Sequence, residues 1–165
     1  MNFDLVICGV GGQGVLSIAW VIDHAAHAAG LHLKQSEVHA SDLIGDGSAG
    51  LLLSVEPMEA LRYTRLLRPD GIIVTDIEPM LNVPDYPALE SLYPVLFSAP
   101  RLVALSASRL AQKAGTVKAQ NMVVLGAAAQ YLPLPLAALE QQIHELFVSK
   151  GERIVKANIN AFRKG

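Results

Sequence analysis

The stretch Phe3-Asp4-Leu5-Val6-Ile7-Cys8-Gly9-Val10-Gly11-Gly12-Gln13-Gly14 decides the fold. Its first eight residues are a nearly continuous apolar run, the pattern of a parallel strand covered on both faces. The glycines that follow fit G-x-G-x-x-G, and Val15 to Ala29 then has helical composition and stops at Gly30. Strand, glycine turn and helix in this order make a phosphate site physically reasonable. Glycines let a backbone turn tightly and approach a ligand, and a helix N-terminus offers unpaired N–H groups and partial positive charge. Gly9, Gly11, Gly12, Gln13 and Gly14 are therefore candidate cofactor-binding residues. The alternative is that they only make a tight strand-to-helix turn. No Lys-Ser/Thr pair closes the loop, so it is not a Walker A loop. In a dinucleotide fold an acid about 20 residues on binds the ribose, and Glu37 stands 23 residues past Gly14.

Working outward, the spacing predicts a second strand over 31–38, a glycine-bearing loop over 39–50 and a third strand over 51–55. Pro57 opens a helix, 68–71 form a turn, and a fourth strand covers 72–76. An extended proline-bearing loop over 77–87 leads to a short helix over 88–97 and a fifth strand over 102–105. Beyond Ser108 the pattern is helical. One helix capped by Ser108 ends near Gly115, one capped by Thr116 ends before Pro133, one runs from Pro135 to Gly151, and one covers 152–162. Strand–helix alternation followed by helices predicts one α/β domain over residues 1–165. It is an open, mostly parallel, Rossmann-like sheet flanked by helices, with a helical C-terminal third.

Composition narrows the function. Of the 165 residues, 52% are hydrophobic and 17% charged, with mean hydropathy +0.36. The charged share is below the roughly 25% of an average globular protein, which excludes disorder. A net charge of -2 excludes a nucleic-acid binder driven by bulk charge. The charge is divided: residues 1–100 carry 4 basic and 12 acidic side chains, and residues 101–165 carry 9 and 3. No window reaches the ~18 apolar residues of a membrane span, and no leader is visible at Met1-Asn2-Phe3-Asp4, so a cytoplasmic protein without membrane contact is expected. The single cysteine, Cys8, holds neither a disulfide nor an iron–sulfur cluster, which takes about four thiolates. Inside an apolar strand it reads as a buried, inert thiol.

The glycine loop, together with Ser36-Glu37-Val38-His39, resembles the gamma-type subunit or domain of 2-oxoacid:ferredoxin oxidoreductases, in particular the beta subunit of the indolepyruvate-specific branch. Glu56-Pro57-Met58-Glu59-Ala60-Leu61, Asn121-Met122-Val123-Val124-Leu125-Gly126 and Asn158-Ile159-Asn160-Ala161-Phe162 resemble further stretches of the family, in its order. One departure stands out. The family continues after Glu-Val-His through a Gln-Arg-Gly-Gly loop and another strand, whereas here His39 passes directly to Ala40-Ser41-Asp42. About 20 residues have no counterpart by comparison with the family's usual length. Either this is a short variant or the chain is incomplete, and the role of that loop does not carry over.

The resemblance implies oxidative decarboxylation of a 2-oxoacid, with an arylpyruvate such as indolepyruvate as substrate. Thiamine diphosphate, iron–sulfur clusters and coenzyme A serve the assembled complex, and electrons leave to ferredoxin. This chain alone is expected to bind none of the clusters or thiamine diphosphate. It therefore requires a larger partner subunit carrying them and is inactive by itself. Gly45-Asp46-Gly47 imitates half of a thiamine motif, but no strand precedes it and the next Asn is Asn82, so it reads as a turn. His39, two residues from Glu37, and Asn121, early in an apolar helix, join the candidate cofactor-binding residues; an edge hydrogen bond and helix docking are their respective alternatives. His24 and His27 share a helix face without a third metal ligand. Lys150, Arg153, Lys156, Arg163 and Lys164 form a basic C-terminal region, read as a dipole-matched helix end or a docking surface. Two other readings remain open: a stand-alone nucleotide-binding module, and a shortened accessory homologue without activity. If the chain belongs to an obligate complex, its apolar excess should lie exposed beside the glycine loop or on the helical third.

Overall fold

A computed structural model describes residues 3–31, 44–81 and 85–165. The expected strand over 31–38, with Glu37 and His39, lies outside the described residues apart from Leu31.

Four parallel strands form one sheet: β1 (Leu5–Cys8), β2 (Ala49–Ser54), β3 (Leu67–Asp76) and β4 (Leu102–Leu105), in that order across the sheet. Helices α1 (Val15–Ala28), α2 (Pro57–Arg62) and α3 (Leu89–Phe97) follow the first three strands. The helices α4 (Ala107–Ala114), α5 (Gln120–Ala129), α6 (Leu136–Phe147) and α7 (Glu152–Phe162) complete the chain. The α/β class, the parallel sheet and the helical last third agree with the sequence reading.

Both faces of the sheet are covered, which explains why β2 is apolar at nearly every position rather than alternating. Leu51 and Leu53 point to a large core with α1 and α4–α7, while Leu52 and Ile73 point to a smaller one closed by Ala60, Leu66 and Leu96. Ala49 faces the smaller core although its parity matches Leu51, because the ladder to β3 is irregular between these two residues. The sheet therefore begins earlier than the sequence indicates, and Ala49 and Gly50 belong to β2 rather than to a loop.

Three further boundaries move. Residues 68–71, expected as a turn, continue β3, with Arg68 and Asp70 paired at 2.8 Å along the strand. Helix α4 begins at Ala107 with Ser106, not Ser108, as its N-cap residue; Asp76 Oδ1 accepts the Ala107 N–H, and the hydroxyls of both serines donate to Glu78. The helix expected from Thr116 is broken into a short 3-10 turn, Val117–Ala119, and α5. Thr116 caps the turn by accepting the Lys118 N–H.

Helix α5 is almost wholly buried between the sheet and the other helices. Its close packing on α7 rests on Gly126, where an added Cβ would lie 1.9 Å from the Phe162 carbonyl oxygen. Arg163, just past α7, makes a two-pronged pair with Glu140 of α6 at 2.6 and 2.7 Å. That geometry holds the Glu140 carboxyl below the usual carboxylate range.

Candidate functional site

All four strands deliver their C-terminal ends to one edge of the sheet, the edge where open α/β folds gather ligands. The glycine loop leaves β1 there. Two of its glycines are fixed by their surroundings. A Cβ on Gly9 would lie 2.3 Å from the Val55 side chain, and one on Gly14 would lie 2.4 Å from Asn121 Nδ2. Gly14 and Gly12 also hold φ values of 79° and 88°, which side chains disfavour. Gly11 differs. It has no positive φ, and an added Cβ would meet nothing within 4 Å.

Gln13 is turned back onto its own loop. Its Oε1 accepts the Val10 N–H at 2.7 Å, and its Nε2 donates to the Val55 carbonyl at 3.2 Å. Its amide thus ties the loop to the end of β2. Asn121 makes the corresponding tie on the helical side, donating from Nδ2 to the Gly14 carbonyl at 3.2 Å. The same carbonyl accepts the N–H groups of Ser17 and Ile18 and starts α1. The structure thus brings Gly9–Gly14 and Asn121 together.

Between the loop and the start of α5 lies an open cleft of about 470 Å³. One wall is Gly12, Gln13, Gly14 and Ser17; the other is Val117, Lys118, Gln120 and Asn121, with Phe147 and Lys150 at the end. Among the described residues no carboxylate lines it. Helices α1 and α5 each start without a side-chain cap and without an acid in the first turn. Lys150 Nζ sits 5.3 Å from the centre of the Phe147 ring. Lys118 and Lys150 were not legible as site residues. In the sequence Lys118 merely follows the Thr116 cap, and Lys150 belongs to a basic C-terminal region that fits a dipole-matched helix end or a docking surface.

A second group of polar residues occupies the same sheet edge, and each is engaged inside the chain. Glu56, fully buried, caps α2 by accepting the Glu59 N–H at 2.8 Å, and also accepts the Met80 N–H and the Tyr86 hydroxyl. Burial and the Glu56 carboxylate raise the Tyr86 phenol above its ordinary range. Asp76 is 2% exposed and accepts the N–H groups of Glu78 and Ala107 at 3.1 Å, joining β3 to α4. Burial pushes its carboxyl up to about 6, against the pull of those backbone donors. Pro57 marks the start of α2 in the sequence, but Glu56 as its cap, with Met80 and Tyr86 as further partners, is seen only in the structure.

Other candidates take definite places. Burial pushes the Cys8 thiol up to about 12, which makes it a poor nucleophile. His24 stacks on Trp20 with ring centres 3.8 Å apart and its Nδ1 lies 2.9 Å from the Trp20 carbonyl. Among the described residues there is no cluster of three potential metal ligands. Gly45-Asp46-Gly47 forms a turn before β2, with Gly47 at φ 70° and bonded to Arg65. No helix among the described residues is long and apolar enough to cross a membrane.

A parallel sheet with a glycine loop at its C-terminal edge and a helical last third defines a class of α/β domains. Within that class the chain belongs to the pyruvate ferredoxin/flavodoxin oxidoreductase family, whose model matches residues 42–165. The glycine loop precedes that stretch, but curated relatives align along the whole chain. Indolepyruvate oxidoreductase subunit IorB of Archaeoglobus fulgidus is 31% identical over 192 residues, covering 100% of this chain and 94% of the relative. The same subunit of Thermococcus kodakarensis is 30% identical, covering 99% and 94%. Among solved structures, the gamma subunit of a keto/oxoacid ferredoxin oxidoreductase from Geobacter sulfurreducens superposes with a TM-score of 0.64 at 19% identity, covering 99% of this chain and 98% of that one. The 2-oxoglutarate:ferredoxin oxidoreductase of Magnetococcus marinus, solved with 2-oxoglutarate, coenzyme A and succinyl-CoA bound, gives 0.68 at 19% identity. This chain covers 30% of that longer chain. At such identities the two structures establish the shared fold.

Proposed function

We propose that this chain is the gamma-type subunit of a 2-oxoacid:ferredoxin oxidoreductase acting on an arylpyruvate such as indolepyruvate. The observation that carries the reading is the near full-length match to IorB subunits at about one residue in three. The chemistry of such an enzyme belongs to its cofactors, which the protein must hold and orient. A single, buried cysteine supplies no iron–sulfur ligand set. The reading therefore assigns the clusters and thiamine diphosphate to a larger partner subunit, with coenzyme A as acyl acceptor and ferredoxin as the electron acceptor of the complex. This chain's part is to complete the assembly and to offer the glycine-loop cleft. Gly9, Gly11, Gly12, Gly14 and Asn121 are its proposed binding elements, with Gln13 holding the loop in shape. Glu37 and His39 remain proposed contributors on the strength of their sequence position.

Co-expression with a large subunit carrying thiamine diphosphate and cysteine clusters tests this. The expected result is a stable complex containing iron and thiamine diphosphate that reduces ferredoxin with indolepyruvate and coenzyme A, while the lone chain has no turnover. A chain that never co-purifies with a thiamine-containing partner overturns the reading.

A further inference from the structure

The helical third carries positive charge that its own acids do not answer. Those acids are engaged: Glu140 with Arg163, Glu152 with Lys156, and Glu145 with Gln141 and His144. Arg109, Lys113, Lys118, Lys150 and Arg153 are exposed and form no ion pair among the described residues. Glu78, before α4, is half-buried and taken by the hydroxyls of Ser106 and Ser108. The residues outside the described set carry only two acids, Glu37 and Asp42, too few to balance five cations.

The five form a connected band. Helix α4, with Arg109 and Lys113 one turn apart, packs against the Val117–Ala119 turn that holds Lys118. Lys118 borders the same cleft as Lys150, which ends a second 3-10 turn, Val148–Lys150, and Arg153 follows at the start of α7. Val117 and Val148 are exposed within the band. The helices give no reason for most of this charge. A helix N-terminus is the positive end of its dipole. Arg109 and Arg153 stand in the first turns of α4 and α7, and Lys118 and Lys150 immediately precede the N-cap residues of α5 and α7. Four of the five cations are thus set where the backbone opposes them, and Arg109 and Lys113 repel each other at i, i+4. The dipole-matched reading of the basic C-terminal region holds for Arg163 and Lys164, at the far end of α7, and fails for Lys150 and Arg153.

From these observations we infer that the band docks an acidic surface of the larger partner subunit. Val117 and Val148 supply apolar contact, and the cations around them supply the charged surround, the arrangement of a protein interface. Two helices and two turns spread the charge too widely for one small anion, and a net charge of -2 argues against a nucleic acid. The inference rests on the proposed function. It adds which face meets the partner, and that acidic groups on the partner are what this face recognises.

Binding of the full chain to the thiamine-bearing large subunit, measured by biolayer interferometry from about 50 to about 500 mM salt, provides the test. Wild-type affinity should fall as salt rises. R109E/R153E should bind about tenfold more weakly at low salt, with a shallower salt dependence. The same variant, free, should melt at or above the wild-type temperature, because glutamate suits a first helical turn better than arginine. R109K/R153K should bind as the wild type does. So should R65E/R101E, which makes the same charge change just before β3 and β4 at the other edge of the sheet. Equal affinity and salt dependence in R109E/R153E, or equal weakening in R65E/R101E, overturns the inference and leaves the proposed function standing. So does a lowered melting temperature in R109E/R153E, which would assign the two arginines to the fold. Loss of self-association or of DNA binding as that variant's only defect would assign the band to a second copy or to a nucleic acid, and also overturns it. A wild type that binds no such subunit at any salt overturns the proposed function, and this inference with it.

Discussion

At the scale of single residues, the loop's glycines differ in what holds them. Gly14 has a left-handed backbone and Asn121 Nδ2 where a Cβ would go. Gly14→Ala should therefore lower stability by roughly 2–3 kcal/mol in urea denaturation, from strain and displacement of α5 together. Asn121→Ala, which removes one buried hydrogen bond while Gly14 keeps its two helical N–H partners, should cost about 1 kcal/mol. Asp76 carries a pH effect of opposite sense to an ordinary paired carboxylate. Its folded value of about 6 lies above the unfolded value of 3.8, so between these the folded state holds the extra proton. Its contribution to stability is thus greatest below about pH 4 and falls as pH rises to about 6. Asp76→Asn keeps Oδ1 as an acceptor for Glu78 and Ala107 and removes the buried charge. Thermal melts from pH 4 to 8 should show the variant gaining on the order of 1–2 kcal/mol at neutral pH, with a flatter slope over pH 4–6. The glycine loop was legible because its signal is local. Gln13's tie to Val55 spans 42 positions and Asn121's tie to Gly14 spans 107, so a one-dimensional reading could mark both residues as important without naming the backbone groups they hold.

At the scale of elements, periodicity and punctuation located the described helices well, since Pro57, Gly115, Pro135 and Gly151 fall at or beside their ends. The moved boundaries show where tertiary contacts compete with local preference. Arg68-Pro69-Asp70-Gly71 has turn composition and lies inside β3 where the ladder to β2 slips, Leu67 pairing with Ala49 and Ile72 with Leu51. Ser108 is a good capping residue, yet Glu78 recruits it. Gly126 poses the same contest as a prediction. Intrinsic propensity favours Ala over Gly in mid-helix by about 1 kcal/mol. Here the new methyl would sit against the Phe162 backbone, where no side chain can rotate away. Gly126→Ala should therefore destabilise by roughly 3 kcal/mol or more, as α5 and α7 are forced apart. Circular dichroism during urea denaturation would show it, and a neutral or stabilising result would mean that the helix pair is loosely seated.

For the whole molecule, only part of the acidic excess is internal. Glu56, Glu59 and Asp76 are buried at the sheet edge, while Asp4, Asp46, Asp70, Asp85 and Glu90 are exposed, and Lys118 and Lys150 from the basic part stand exposed around the cleft. The apolar excess is also placed. Leu16 and Val117 are exposed near the glycine loop, and Leu136 and Val148 are exposed on the helical third. Composition did not foretell a further pair on α3, Val95 at 57% and Phe97 at 55%, on the opposite side of the sheet. Apolar side chains at an obligate interface contribute to assembly and little to the fold of the free chain. V95S/F97S and L16S/V117S should thus each leave the unfolding free energy of the isolated chain within about 0.5 kcal/mol of the wild type. Partner subunit should raise the wild-type melting temperature in a concentration-dependent way, and at least one of the two double variants should blunt that rise. If both retain it in full, apolar burial at these two faces does not drive assembly, and the excess hydrophobicity of the chain belongs to its two cores alone.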